Sequence, residues 1–337
     1  MQPQPAPVRE WHDVDVARFR NEIQPLNQPA LLRGLVADWP AVAHARESAQ
    51  AIGSYLKGFD AGRPVAIMWA PPTSGGRFFY RADMRGLNFE RRRSSITAAI
   101  DELLARQNEA GVPAMFIEST PLPDFLPQLP ARNRLDFLDG IVPRIWIGNA
   151  VVIQTHFDLS SNIACVVAGR RRFTLFPPDQ LPNLYVGPFD FTMSGPPVSM
   201  VSLRDPDFQR YPKFREALAV AQVAEMNPGD ALYIPYAWWH NVESLEAFNV
   251  LINYWWNEAA ATSSPFDSLL HAAMALRDLP ADQRSVWRVI FDHYVFRPTG
   301  ADPMAHLAPE HRGMLGTTLT PERVQMIKMA LRNALGR

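Results

Sequence analysis

The chain has 337 residues, a formal net charge of −1, and a composition that is 47% hydrophobic and 20% charged. These values suit a globular protein with one large domain, or one domain and an appendage. They carry no overall electrostatic footprint for nucleic acid, although a local basic strip is compatible with a neutral total. A lone cysteine, Cys165, excludes an intrachain disulfide, and no run of about 18 apolar residues offers a membrane span. The Pro-rich start, MQPQPAPVREW, lacks the apolar centre of a signal peptide. A cytoplasmic protein is the simplest expectation.

Residues 1–8 read as a disordered lead-in. Residues 14–24 carry apolar positions at helical spacing, and Ala30 to Arg33 reads as a short strand before a turn. Helical patterns recur near 43–57 and 94–108, with β-rich runs at 64–69 and 114–118. Arg91, Arg92 and Arg93 between them read as a solvated face. The first 140 residues are therefore expected to mix helix and strand.

From about 143 to 256 the pattern changes. Short apolar or alternating runs (RIWIG, VVIQTHF, IACVVAG, RFTLFP, ALYIP, FNVLINYWW) are separated by Gly, Pro, Asn and Asp. That spacing predicts a sandwich or barrel, and a two-sheet jelly roll is the natural candidate. After Glu258 the pattern is helical again, and Thr320-Pro321 supplies N-cap and N1 signals for the last helix. The expected organisation is a mainly β unit over 1–258 and a helical region over 259–337. The latter is too short for a comfortable core alone, so it is expected to pack on the barrel or on a second subunit.

The chemistry sits in THFD at 155–158 and GDALYIPYAWWH at 229–240. Side chains alternate along a strand, so His156 and Asp158 share a face and can grip one metal ion. His240, expected to close the strand that follows the Pro-Gly-Asp turn, is placed to add the third ligand. Two neutral imidazoles and one carboxylate form the facial triad of non-haem Fe(II) oxygenases, which leaves three coordination positions open. A bidentate 2-oxo acid fills two and dioxygen the third. Thr155 is placed opposite His156 by the same alternation. Trp238, Trp239, Trp255 and Trp256 read as core or pocket wall, and Cys165 as a small buried hydrophobe. His12, His44, His271, His293, His306 and His311 show no partner pattern.

With these words in family order over roughly residues 28–256, the chain resembles the cupin-like JmjC hydroxylases. This is the group that includes the asparaginyl hydroxylase inhibiting the hypoxia-inducible factor. The matching segments are QPALLRGLVADWP, WIGNAVVIQTHFDLSSNIACVVAGRRRFTLFPP, LYVGP, MNPGDALYIPYAWWHNVESL and NVLINYWW. The resemblance implies a double-stranded β-helix core, Fe(II) at His156, Asp158 and His240, and 2-oxoglutarate as co-substrate. It places Asn162 and Asn253 in the co-substrate site, and it implies a C-terminal dimerisation region, hence a homodimer. The family usually binds the distal carboxylate of 2-oxoglutarate with a lysine before the LFPP run. Arg171 falls on that position, sharing a face with Phe173 opposite Arg170 and Arg172. A guanidinium can hold a carboxylate bidentately, but in a pocket of different depth. Tyr80 is a further candidate from the N-terminal part.

The expected activity is hydroxylation, or demethylation through hydroxylation of an N-methyl group. The substrate classes in play are a protein, tRNA or a small molecule. The alternatives are a cupin enzyme using another metal, and a non-catalytic cupin serving as a binding module.

Overall fold

The computed structural model describes residues 4–258, 263–316 and 318–336. It divides into two compact units, 1–257 and 258–337. The first unit is built on fourteen strands: β1 (Ala6–Pro7), β2 (Glu10–Trp11), β3 (Ala30–Leu32), β4 (Val65–Ala70), β5 (Glu90–Ser94), β6 (Ala114–Pro121), β7 (Arg144–Gly148), β8 (Val152–His156), β9 (Ser161–Ala168), β10 (Arg171–Phe176), β11 (Gln222–Met226), β12 (Ala231–Ile234), β13 (Trp239–Ser244) and β14 (Asn249–Trp256). They form a five-stranded sheet, β1-β11-β10-β13-β8, and a nine-stranded sheet, β2-β3-β12-β9-β14-β7-β6-β4-β5. The expected jelly roll is present, with antiparallel pairing throughout its centre.

The centre of the large sheet is buried on both faces, which is why β9 reads as an unbroken apolar run from Ile163 to Ala168. Ile163, Cys165 and Val167 face one core, together with Val42, Ile52, Leu56 and Ile100 from the helices Pro40–Glu47, Ala49–Lys57 and Ile96–Ala105. Ala164 and Val166 face the other core, which lies between the sheets and holds Phe173, Leu175, Trp238, Val242 and Leu251. Inward positions between the sheets are thus set by a period of two, and the site residues occupy the open end of that layer.

Several expectations need correction. The single helix expected over 43–57 is two, because Ser48 breaks off in extended backbone and caps the second helix by accepting from the Ala51 N–H at 3.0 Å. Arg91, Arg92 and Arg93 are exposed, as expected of a solvated face, and belong to β5, the edge strand of the large sheet. In the lead-in, residues 1–3 lie outside the described residues, but Ala6–Pro7 pairs with β11 and Val8 is buried between the sheets. His240 does not close the strand after the Pro-Gly-Asp turn. That strand, β12, ends at Ile234; a turn through Ala237, at φ +60°, follows, and His240 is the second residue of β13. The Pro-Gly-Asp turn itself is pinned by Asp230, whose carboxylate accepts from Gly34 N–H, Asn227 N–H and Arg33. Gly229 there has φ +104°, and a Cβ would sit 3.1 Å from Ala37 Cα.

The unit 258–337 contains the helices Pro265–Leu276, Ala281–Phe291 and Pro321–Leu335. Thr320 caps the last, as its sequence suggests, accepting from the Arg323 N–H at 3.4 Å. Many of the large apolar side chains described in this unit are exposed, including Leu270 at 60% and Met274 at 68%.

Candidate active site

His156 ends β8 and His240 stands directly opposite it on β13, so sheet register alone brings the two imidazoles together, their centroids 4.3 Å apart. Asp158 lies two residues beyond, just past the strand end. Its backbone carbonyl accepts from Ala237 N–H at 3.1 Å, which ties it to the turn that launches His240. Its Oδ2 is 3.6 Å from His240 Nε2. One donor atom from each of the three residues lies within 4.8 Å of the others, and among the described residues no other such group occurs.

The tautomers are set by the backbone. His156 Nδ1 is 2.8 Å from Gln154 O, and His240 Nδ1 is 3.0 Å from Trp238 O. A carbonyl can only accept, so each ring donates from Nδ1 and leaves an Nε2 lone pair for a metal. Burial, reinforced by His156, holds His240 well below its ordinary value, so its ring is neutral at pH 7. The donor set fits a six-coordinate Fe(II) with three open positions.

Behind the triad lies an inner cavity of about 60 Å³, and it contains every residue expected for the site: His156, Asp158, His240, Arg171, Asn162 and Asn253. Arg171 is 2% exposed, while its neighbours turn outward, Arg170 to Glu246 and Arg172 to Glu225. Its Nε and Nη2 have no hydrogen-bond partner. Burial alone lowers it to about 9, so it remains charged at pH 7 with no counter-ion. An unpaired buried guanidinium beside three groups that could hold a metal fits a metal-chelating ligand with a distal carboxylate. Asn253 does not face that ligand freely. It accepts from Trp146 Nε1 at 2.7 Å and donates to Asn162 Oδ1 at 3.1 Å, so the two amides form a fixed relay along the wall.

On the other side of the triad an outer cleft of about 320 Å³ shares six wall residues with the inner cavity, namely Phe116, Trp146, Ile153, His156, Asp158 and Trp255. Its rim holds Glu118, Ser119 and Arg144, and Met193 to Val198 from the loop that follows β10. Arg144 donates to Ser119 O at 2.7 Å. The loop is tied down by Tyr80 Oη to Phe191 O at 2.6 Å, by Arg91 Nη2 to Met193 O at 2.7 Å, and by Gln154 Nε2 to Ser199 O and Val201 O, both at 2.7 Å. The site therefore has a small chamber lined by buried polar groups and, across the triad, a larger cleft with room for a second molecule.

A family profile described as a cupin-like domain matches residues 16–262. The chain belongs to this cupin-like family. Similar proteins include the lysine-specific demethylase JMJ31 of Arabidopsis thaliana, 36% identical over 121 residues, which are 36% of this chain and 22% of that protein. The tRNA wybutosine-synthesizing protein 5 of Danio rerio is 26% identical over 87% of this chain and 95% of its own. The bifunctional peptidase and (3S)-lysyl hydroxylase JMJD7 of Homo sapiens is 25% identical over 71% and 80%. The chain spans about a quarter of the length of the demethylase and of the HSPB1-associated protein 1 group, the first relatives it matches.

Of the four tryptophans singled out in the sequence, Trp255 lines both chambers. Trp238 is in the core between the sheets, Trp239 packs on Phe157, and Trp256 stacks on Tyr233. Tyr80 lies outside both chambers and acts on the loop instead. Sequence reasoning missed Trp146, Gln154, Glu118 and Arg144. Trp146 had a signal in RIWIG, where it alternates with Ile145 and Ile147, but nothing in that run says which face meets the site. Cys165 is fully buried, and burial pushes its thiol up.

Proposed function

We propose that this cupin-like protein is an Fe(II)- and 2-oxoglutarate-dependent oxygenase. One observation carries the reading. Two imidazoles with committed Nδ1 protons and a carboxylate converge 4.8 Å or less apart, next to a buried guanidinium with no partner of its own. His156, Asp158 and His240 hold the metal, and Arg171 receives the distal carboxylate of 2-oxoglutarate through its unused N–H groups. The Trp146–Asn253–Asn162 relay orients the co-substrate, and Phe173, Val242 and Leu251 keep water from the inner cavity. Bound Fe(II) supplies the activation of dioxygen, coupled to oxidative decarboxylation of the co-substrate. In sum, a C–H bond, dioxygen and 2-oxoglutarate give C–OH, succinate and carbon dioxide, with one oxygen atom going to each organic product. The outer cleft presents the C–H bond. A protein, tRNA or small-molecule substrate is consistent with the activities in the relatives' names, and demethylation is the same chemistry at an N-methyl group.

The test is succinate formation from purified protein with Fe(II), ascorbate and 2-oxoglutarate, with binding of both ligands measured beside it. We expect binding and slow uncoupled succinate release in the wild type, and neither metal binding nor succinate in Asp158→Ala. Failure of the wild type to bind Fe(II) and 2-oxoglutarate would refute the proposal.

A homodimer joined through residues 259–337 belongs to the same reading, supported by the uncovered apolar side chains of that unit. Sedimentation as a monomer at micromolar concentration would remove it. Among the described residues no helix is long and apolar enough to cross a membrane. A cytoplasmic setting accords with the need for a reduced metal.

A further inference from the structure

Residues 63–93 hold seven arginines against two acidic residues, Asp83 and Glu90, within a chain whose total charge is −1. The fold brings one of these, Arg91, to the rim of the outer cleft, and with it the strand that carries Arg93. In the β4–β5 pair Arg91 stands opposite Met68, which lines the cleft, and Arg93 shares its face. Arg92 turns the other way and lies 3.8 Å over Trp69. Arg91 reaches Met193 O and Ser194 Oγ on the cleft loop, and its Nη2 is 3.5 Å from Glu118 on the rim. The Tyr80–Leu87 bridge closes a hairpin that carries Arg81 and Arg85, and Tyr80 ties that hairpin to the same loop. Arg63, Arg85 and Arg93 are exposed, and none has an ion pair among the described residues. The opposing acids are few. Glu118 faces Arg91, Asp83 is 3.8 Å from Arg81, and Asp190 stands on the loop.

We propose that the arginine-bearing edge formed by β5 and the 80–87 hairpin is a docking surface for a single-stranded nucleic acid, one unit of which enters the outer cleft. This rests on the oxygenase reading and names the substrate class of that same site. Two independent features point to it. Arg85 on the hairpin and Arg93 on β5 are exposed cations with no ion pair among the described residues, free to meet phosphates, while Arg91 holds the cleft loop and Glu118. The cleft between them and the triad is walled by flat rings: Phe116 and Trp146 are stacked 5.8 Å apart at 28°, and Trp255 stands at 89° to Trp146. A backbone of regular charge and a planar base match both features, whereas an acidic peptide matches only the first. Charged edge strands also discourage strand pairing. That accounts for charge on β5, but not for the arginines of the hairpin or for the aromatic cleft.

The experiment is fluorescence anisotropy on the full-length protein with labelled twelve-residue oligouridylate, oligothymidylate and polyglutamate, from 50 to 200 mM salt. We expect either oligonucleotide to bind with an affinity that falls steeply with salt. In the double variant Arg85→Glu, Arg93→Glu the slope of log K against log salt should shrink by about 1.4, roughly 0.7 per lost phosphate contact. Affinity at 50 mM should fall at least tenfold while the melting temperature stays unchanged. Polyglutamate bound as tightly as the oligonucleotides would transfer the surface to an acidic polypeptide and overturn the proposal. So would wild-type affinity in the double variant, or no binding of any probe. Binding of 2-oxoglutarate is measured on the same wild-type sample. If it is retained without oligonucleotide binding, only the docking surface fails; if it too is lost, the oxygenase reading fails.

Discussion

Replacing Arg171 by methionine separates its proposed binding role from its structural one. Burial lowers this guanidinium from 12.5 to about 9, with no compensating partner. At 1.36 kcal/mol per unit the folded, ligand-free protein holds the charge at a penalty of roughly 5 kcal/mol. The folded value lies below the unfolded one, so the penalty is complete at neutral pH and is relieved only as pH rises above about 9. Relaxation and water entering the cavity reduce the net effect to about 2 kcal/mol. Methionine fills a similar length without a charge, so the apo variant should melt higher, by roughly 4–8 °C for a unit of this size. Wild-type protein with Mn(II) and 2-oxoglutarate at 100 times its Kd should gain about 2.7 kcal/mol, and the variant should gain nothing from 2-oxoglutarate. Thermal melting of both proteins, with and without the two ligands, gives all four values. An apo variant that melts several degrees lower, and still responds to 2-oxoglutarate, would show that Arg171 is a packing residue and would refute the reasoning.

Asn253→Ala should leave Trp146 Nε1 buried and unpaired, lowering stability by roughly 1–3 kcal/mol and weakening 2-oxoglutarate binding; unchanged melting would mean the relay is not formed. Because His240 is held below 6.5 in the fold, the unfolded chain takes up a proton first as pH falls through 6.5. Metal-free wild type should therefore lose stability below pH 6.5 at up to about 1.4 kcal/mol per pH unit relative to His240→Gln, and parallel denaturation curves at pH 7, 6 and 5 would refute this. Tyr80→Phe removes the bond to Phe191 O and should raise KM for a cleft substrate with little change in 2-oxoglutarate binding, as read by titration.

The fold was legible where burial imposes one period. β7 to β10, β12 and β14 sit between two cores or on one, so their apolar runs and the Gly, Pro and Asn between them mark strand and turn. It was illegible where a charged side chain is compatible with more than one state. Glu90–Ser94 is a strand because β4 offers it an edge, not because ERRRS prefers to be one. Likewise the break at Ser48 is decided by the packing of two helices, since the apolar pattern runs through it.

The site divides along the same line. His156 and Asp158 are neighbours in sequence, so alternation nearly places them, whereas His240 meets them through a register between β8 and β13 that no local pattern encodes. The turn through Ala237 shows why the expected strand end failed. ALYIPYAWWH looks continuous, but Pro235 denies β12 an N–H, and the turn that follows presents His240 from a new strand. That turn also gives Asp158 its backbone anchor at Ala237. One local break thus fixes two of the three candidate metal ligands at once. A substitution that straightened it would displace both His240 and Asp158, and metal affinity would fall further than removal of either contact alone predicts.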